Sequence, residues 1–437
     1  MIRDYTDAEA RAALPLKWGR APEGTIPAWV AEMDYAPAPA ISAAVNAAVG
    51  KGMLGYPPFD HPMVTGLEEA FAGFAERHWR WQVPAGASTL TGDVITGMRL
   101  VLEHLCPPGP VVVPLPCYPP FRTIVSLAGR EAAYVDLDPD AETAALDLAA
   151  VRAHFEAGAR TLLLCTPHNP WGRVFTRAEL EAVRDLAGEY GARVVADEIH
   201  APLVPPGAGF VPYLTVDPDG IVVTSHTKSF NTPGLKAAQV ITLREDDQET
   251  IRGIPFEANH GYTGLGILAG TAAWRDSDLW LLTLRQRLDV LREDLADLLA
   301  THLPQARMRH LMTEFTAAEF DADSPVEFRG TVTKVEWINP HVWIHLDVEK
   351  DDGTTENWAF EAGTPNVLFR RGFTRRSLLP GAAVLVDGYQ AKDGTNRANG
   401  RDITLADGTK LFLGSSGTGA PWELARPGVD TADPPRR

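Results

Sequence analysis

Between about residues 87 and 245, short apolar runs alternate with stretches of helical periodicity. VVVPLP from Val111, TLLLCTP from Thr161, RVVADE from Arg193, IVVTS from Ile221 and AAQVITL from Ala237 have the form of strands buried on both faces. In residues 176–190, Leu180, Val183 and Leu186 recur at helical spacing behind a threonine placed to cap the helix. Strand, helix, strand repetition predicts an α/β fold with a mostly parallel sheet and flanking helices on both faces. A long helical segment follows over 262–303, where LWLLTLRQRLDVLREDLADLLATHL keeps one leucine-rich face and one charged face.

After Pro304 the pattern changes. VEFRGTVTKVEW, HVWIHLDVEKDDGTTENWAFE, AAVLVDGYQAKDG and RDITLADGTKLFLG alternate with the period of strands. Asp352-Gly353, Asp393-Gly394 and Asp407-Gly408 supply turn signals. This predicts a small antiparallel β domain, barrel or sandwich-like, after the α/β domain. The expected division is a large domain over 1–305, a junction over 306–324, the β domain over 325–414 and a disordered tail over 415–437, rich in Gly, Pro and charge. No internal repeat is evident.

A chain of 437 residues has room for two or three domains, each with its own core. Acidic residues outnumber basic ones by 57 to 40, a net charge of −17 that repels phosphate backbones and anionic membrane surfaces, so neither nucleic acid nor membrane is an expected partner. Cys106, Cys117 and Cys165 are isolated and form no C-x-x-C pair, which argues against a disulfide framework or a cysteine zinc site. The charged first twenty residues lack the apolar centre of an export signal, and no run reaches the length of a membrane span. A cytoplasmic location is the expectation.

Ligands of a parallel sheet bind beyond the carboxyl ends of its strands. There this chain carries Asn169 and Pro170 after TLLLCTPH, Asp197 after RVVA, and Ser225 with Lys228 after IVVT, which gives one rim an amide, a carboxylate, a hydroxyl and an amine. Taken in order as HNPWGRVF, ADEIH and SHTKSFNTPGLK, these residues resemble the pyridoxal-phosphate enzymes of the aspartate-aminotransferase fold. WVAEMDY from Trp29, GYPPFD around Tyr56, PCYPPF from Pro116 and DEIH from Asp197 resemble the branch of cysteine-sulfur β-lyases that includes cystathionine β-lyase. The resemblance covers about residues 1–305.

It implies pyridoxal 5'-phosphate as cofactor, with Lys228, Asp197 and Tyr118 as the catalytic set. Lys228 is the amine that bonds the cofactor, Asp197 the carboxylate that keeps the pyridine nitrogen protonated, and Tyr118 the ring that stacks on it. Those residue types suit an electron sink: a carbanion spreads into the ring best while its nitrogen is cationic, and burial makes an amine available unprotonated. Asn169 then bonds the ring oxygen. Main-chain N–H groups at Asp93, Val94 and Ile95, where TGDVITGMRLVLEH turns into a helix, receive the phosphate. Asp93 departs from the glycine usual in the family. Ser225 adds a hydroxyl, and Lys236 stands where relatives carry arginine and supplies a point charge.

Tyr56 is expected to reach a partner's phosphate across a homodimer interface. The implied reaction is α,β-elimination on a small sulfur amino acid. The alternatives are transamination at the same site, or an inactive, regulatory cofactor-binding fusion. The inactive alternative arises because the arginine that clamps the substrate carboxylate in relatives, in a motif like R-x-N-F, has no counterpart, and Arg370, Arg371 and Arg375 lie in β text. Residues 312–419 instead resemble a small bacterial β-domain family without assigned function, with GTVTKVEWINPHVWIHLDV as signature. His341 and His345 share a strand face there, but two histidines without a third ligand make no expected metal site.

Overall fold

The structure is a computed structural model. It describes residues 2–22, 24–27, 29–56, 62–136, 145–205 and 208–302, and in the C-terminal part 320–337, 342–350, 353–362, 368, 374, 377–391 and 396–413. The expected tail, His341, Arg370, Arg371, Arg375 and the Asp393-Gly394 turn lie outside the described residues. By contact the chain forms two compact units, one of residues 1–205 and 210–309 and the other of residues 206–209 and 310–437.

The first unit is built on a seven-stranded sheet of β1 (Ser88–Thr91), β2 (Val111–Leu115), β3 (Ala132–Asp136), β4 (Thr161–Cys165), β5 (Arg193–Asp197), β6 (Ile221–Thr224) and β7 (Ala238–Ile241). The strand order is β1-β7-β6-β5-β4-β2-β3. Strands β3, β2, β4, β5 and β6 run parallel, whereas β7 is antiparallel to β6 and to β1. The reversal has a topological cause: no helix separates β6 from β7, and a parallel pair needs a crossover. The connection that takes the crossover's place is the loop that carries Lys228.

The apolar runs are buried on both faces, as their composition requires. Leu162 and Leu164 of β4, Val194 and Ala196 of β5, and Val222 of β6 pack into one core with Leu67, Phe71 and Phe74 of the helix Pro62–Trp79. Leu163, Val195, Ile221 and Val223 point the other way, onto Met98 and Val101 of the helix Val94–His104 and Phe121 of the helix Pro120–Leu127. The helix expected over 176–190 spans Arg177–Glu189, with Thr176 and Glu179 closing a reciprocal capping box. The long helical segment is two helices, Gly264–Asp276 and Asp278–His302, separated at Ser277, whose hydroxyl donates to the Ala272 carbonyl.

The second unit contains β8 (Phe320–Glu336), β9 (Val342–Glu349), β10 (Thr355–Ala362), β11 (Ala383–Ala391), β12 (Arg397–Leu405) and β13 (Lys410–Phe412). Its first strand starts at Phe320, inside the stretch read as a junction. The order β10-β9-β8-β11-β12-β13 is antiparallel throughout, but β10 also pairs with β12 in parallel through Ala359, Phe360 and Glu361. That pairing closes five strands into a barrel, which decides between the barrel and sandwich forms and removes the edges of an open sheet. Ile344, Leu346, Trp358, Phe360, Val386 and Ile403 fill it. The Asp407-Gly408 turn joins β12 to β13, with Gly408 at φ 85° and the Asp407 carboxylate accepting the Thr409 N–H at 2.9 Å.

Candidate functional site

The polar residues expected at one rim lie at the carboxyl ends of β4, β5 and β6. Asp197 closes β5, paired in register with Cys165, the last residue of β4. Its side chain is 4% exposed, and one oxygen accepts the Ile199 N–H at 3.0 Å. Burial pushes this carboxyl up to about 7, against the opposing pull of the Ile199 N–H and the Lys228 charge. Lys228, in the loop after β6, has its ammonium lowered by burial, while the Glu32 and Asp197 charges resist. The half-buried Tyr118 phenol is raised by burial and then by the Asp197 and Asp93 charges. Lys228 and Tyr118 thus both feel the charge of the buried Asp197. Asn169 follows β4 in a tight turn, half-buried, its N–H directed to Cys165 Sγ at 3.4 Å.

At the neighbouring helix, Asp93 is the N-cap of Val94–His104. One carboxylate oxygen accepts the Thr96 N–H at 2.8 Å and the other accepts from Lys236 Nζ at 2.8 Å. Burial acts to raise the Asp93 carboxyl, but the Lys236 and Thr96 hydrogen bonds outweigh it and the net shift is downward. The departure from glycine thus has a local reason: the aspartate caps the helix, and a lysine neutralises it. The Val94 and Ile95 N–H groups, in the first turn, have no intrahelical acceptor and are available to an anion. Ser225 is buried at the same rim and donates to the Ala237 carbonyl at 2.8 Å. Lys236 is exposed and its charge is shared with Asp93. Tyr56 lies on the surface of the single chain, 94% exposed.

Three residues that the motifs contain but the sequence analysis leaves without a role also belong here. Glu32 of WVAEMDY acts on Lys228 through its charge. His200 of DEIH follows Asp197 by three positions, and burial and the Lys228 charge together push its imidazolium down to about 4. Asn231, at φ 55°, ties the Lys228 loop to the segment 33–35. Strand-end position is legible in a sequence, whereas the folding of residue 32 back onto residue 228 is not. Among the described residues, no group of three or more His, Cys, Asp or Glu side chains is arranged to hold a metal ion.

The family model for aminotransferase class I and II matches residues 23–316. The chain belongs to that family. A cystathionine beta-lyase of Corynebacterium glutamicum is 36% identical over 61% of this chain and 71% of its own length. A candidate cystathionine beta-lyase of Mycobacterium leprae is 39% identical over 70% of this chain and 77% of its own. A solved structure of a candidate PLP-dependent beta-cystathionase from Corynebacterium diphtheriae superimposes with a TM-score of 0.63 at 28% identity, covering 85% of this chain and 88% of that one. Residues 306–400 match a family of unknown function, DUF6152.

Pyridoxal 5'-phosphate is the cofactor of this family member, and the residues present fit it. The buried Asp197 carboxylate suits a cationic ring nitrogen, the lowered Lys228 amine a carbonyl, and the two unpaired first-turn N–H groups a phosphate.

Cofactor-free protein carries a pH signature of this site. Asp197 and its buried neighbour Glu198, raised by burial to about 7 and about 8, hold protons in the folded chain that the unfolded chain has already released. Their contribution is full below the unfolded carboxylate range and is lost as pH rises through those values. His168, His200 and His226, lowered by burial to about 4, 4 and 3, act oppositely and cost stability as pH falls below the unfolded histidine value. The histidine contribution fades within about one pH unit above 6.5, after which the two acids dominate. Toward pH 8.5 they are joined by the thiols of Cys106, Cys117 and Cys165, which burial raises and which therefore act in the same direction as the acids. The melting temperature of cofactor-free protein is therefore expected to fall between pH 6.5 and 8.5. Cofactor that places a cation beside Asp197 should flatten that fall, and equal slopes with and without cofactor would contradict the assignment of Asp197.

Proposed function

We propose that the protein is a pyridoxal-phosphate-dependent carbon–sulfur β-lyase. With one water it converts cystathionine or a cysteine S-conjugate, by cleavage of the Cβ–S bond and hydrolysis of the resulting enamine, to a thiol, pyruvate and ammonia. The observation that carries this reading is the buried Asp197 at the end of β5, electrostatically coupled to Lys228 beyond the end of the adjacent β6. The family membership and the names of the relatives support it.

When bound, the cofactor supplies an electron sink for a carbanion at the substrate α-carbon. The chain supplies the rest. Lys228 Nζ would hold the cofactor at its carbonyl and, as a free amine, would take the proton from the substrate α-carbon, a task that needs an amine with a depressed pKa. Asp197 keeps the ring nitrogen cationic. Tyr118 would pack against the cofactor ring and help orient it. Val94 and Ile95 N–H groups, together with Ser225, receive the phosphate, and Lys236 contributes a charge that Asp93 partly offsets. Asn169 bonds the ring oxygen.

We further infer a homodimer in which Tyr56 completes the partner's site; its exposure in the single chain supports this. A cytoplasmic location is supported by three free cysteine thiols and is checked by fractionating the native host. Purified protein is expected to be yellow and to release pyruvate from cystathionine or a cysteine S-conjugate. Formation of the amine form of the cofactor with a keto acid, and no thiol, would make it an aminotransferase. A yellow protein that does neither would be a binding protein.

A further inference from the structure

The segment 29–35 carries a carboxylate that the chemistry above leaves unused. Glu32 Oε2 is shut off from solvent and has no hydrogen-bond partner, an arrangement that is costly for a charged group unless another charge compensates. The neighbouring charges are already committed. Lys17 Nζ donates to the Glu32 backbone oxygen at 2.7 Å and to Asp34 Oδ2 at 2.9 Å, and the Trp18 indole donates to Asp34 Oδ1 at 2.7 Å. The segment is locked onto the lysine loop. Asn231 Oδ1 accepts the Met33 N–H at 2.9 Å, and Asn231 Nδ2 donates to the Met33 and Tyr35 carbonyls at 2.7 and 3.0 Å. Its left-handed backbone lets that amide face back over the chain three residues beyond Lys228.

We propose that Glu32 is a positioning residue acting through Lys228: its carboxylate is the counter-charge for the Nζ cation whenever the lysine nitrogen holds a proton. This rests on the lyase reading. The charged and titratable groups acting on Lys228 are Glu32 from the segment 29–35 and Asp197 from β5, with His200 a third, neutral neighbour. Of the two acids, Glu32 acts on the lysine more strongly. Asp197 is committed to the ring nitrogen, so Glu32 is the carboxylate left for Lys228. When the substrate α-proton moves to Nζ, the new charge forms beside an anion already in place, so no solvent needs to reorganise.

The test is E32Q, which removes the charge and keeps the shape, studied as holoenzyme with E32D beside it. The absorbance of the Lys228–cofactor bond is titrated against pH in the absence of substrate. Loss of the nearby anion is expected to lower its apparent pKa by about one unit, and kcat for pyruvate release to fall about tenfold with KM for cystathionine within about twofold. E32D should recover most of both. A yellow E32Q whose titration stays within about 0.2 units of the parent overturns the proposal. If E32Q does not load the cofactor, E32D must load and titrate like the parent, and its failure overturns the proposal too. Absence of colour in the parent protein would instead refute the lyase reading.

Discussion

Lys228→Ala protein is expected to be colourless at neutral pH, to show no borohydride-reducible cofactor bond, and to release pyruvate at least about a thousandfold more slowly than the parent. The size follows from two losses at one atom. The side chain both holds the cofactor and moves the α-proton, and the loop after β6 offers no second amine at that place: Lys236, eight residues on, is exposed and bonded to Asp93. Lys228 makes no hydrogen-bonded ion pair among the described residues, but its loss leaves the buried Glu32 carboxylate without its counter-charge, so the variant should fold with a modestly lowered melting temperature. Absorbance after cofactor addition, borohydride reduction and the pyruvate assay check each part. Persistence of a reducible cofactor bond would show that another lysine is the nucleophile.

Asp197→Asn should be nearly as damaging to activity and harmless to the fold. The asparagine keeps an oxygen for the Ile199 N–H but removes the anion beside the ring nitrogen, and pyruvate release should fall by about two to four orders of magnitude. Cofactor-free stability should hold or rise at pH 8, since the buried charge that burial disfavours there is gone. Activity loss with unchanged or higher melting temperature is the expected pair of results. Near-parental activity would remove Asp197 from the mechanism, and loss of the fold would make it a structural residue only.

The legibility of this protein varies by element. β2, β4, β5, β6 and β7 stand at the runs that begin near Val111, Thr161, Arg193, Ile221 and Ala237, because strands covered on both faces must be apolar at consecutive positions. β1 and β3 were not legible. Ser88–Thr91 is short and rich in hydroxyls and has no continuous apolar run, and Ala132–Asp136 is a half-exposed edge strand whose apolar run is short and half alanine, a weak strand signal. The direction of β7 was also hidden, since composition registers burial and carries no sign for strand polarity. In the C-terminal unit the strand period was clear, but the parallel contact of β10 with β12 that closes the barrel joins segments distant in sequence.

By itself the sequence determined the family and the positions at and just beyond the ends of the buried strands, where Asn169, Asp197, Ser225 and Lys228 stand. These are local features: a strand's apolar run marks where it ends, and the next polar residue must emerge at the sheet's rim. Only the tertiary structure decided what surrounds them. It bonded Asp93 to Lys236, placed His200 beside Lys228, and folded the segment 29–35 onto Asn231 so that the Glu32 charge acts on Lys228. Those relations depend on burial and on distances between side chains far apart in the chain, and a linear pattern of residue types contains neither.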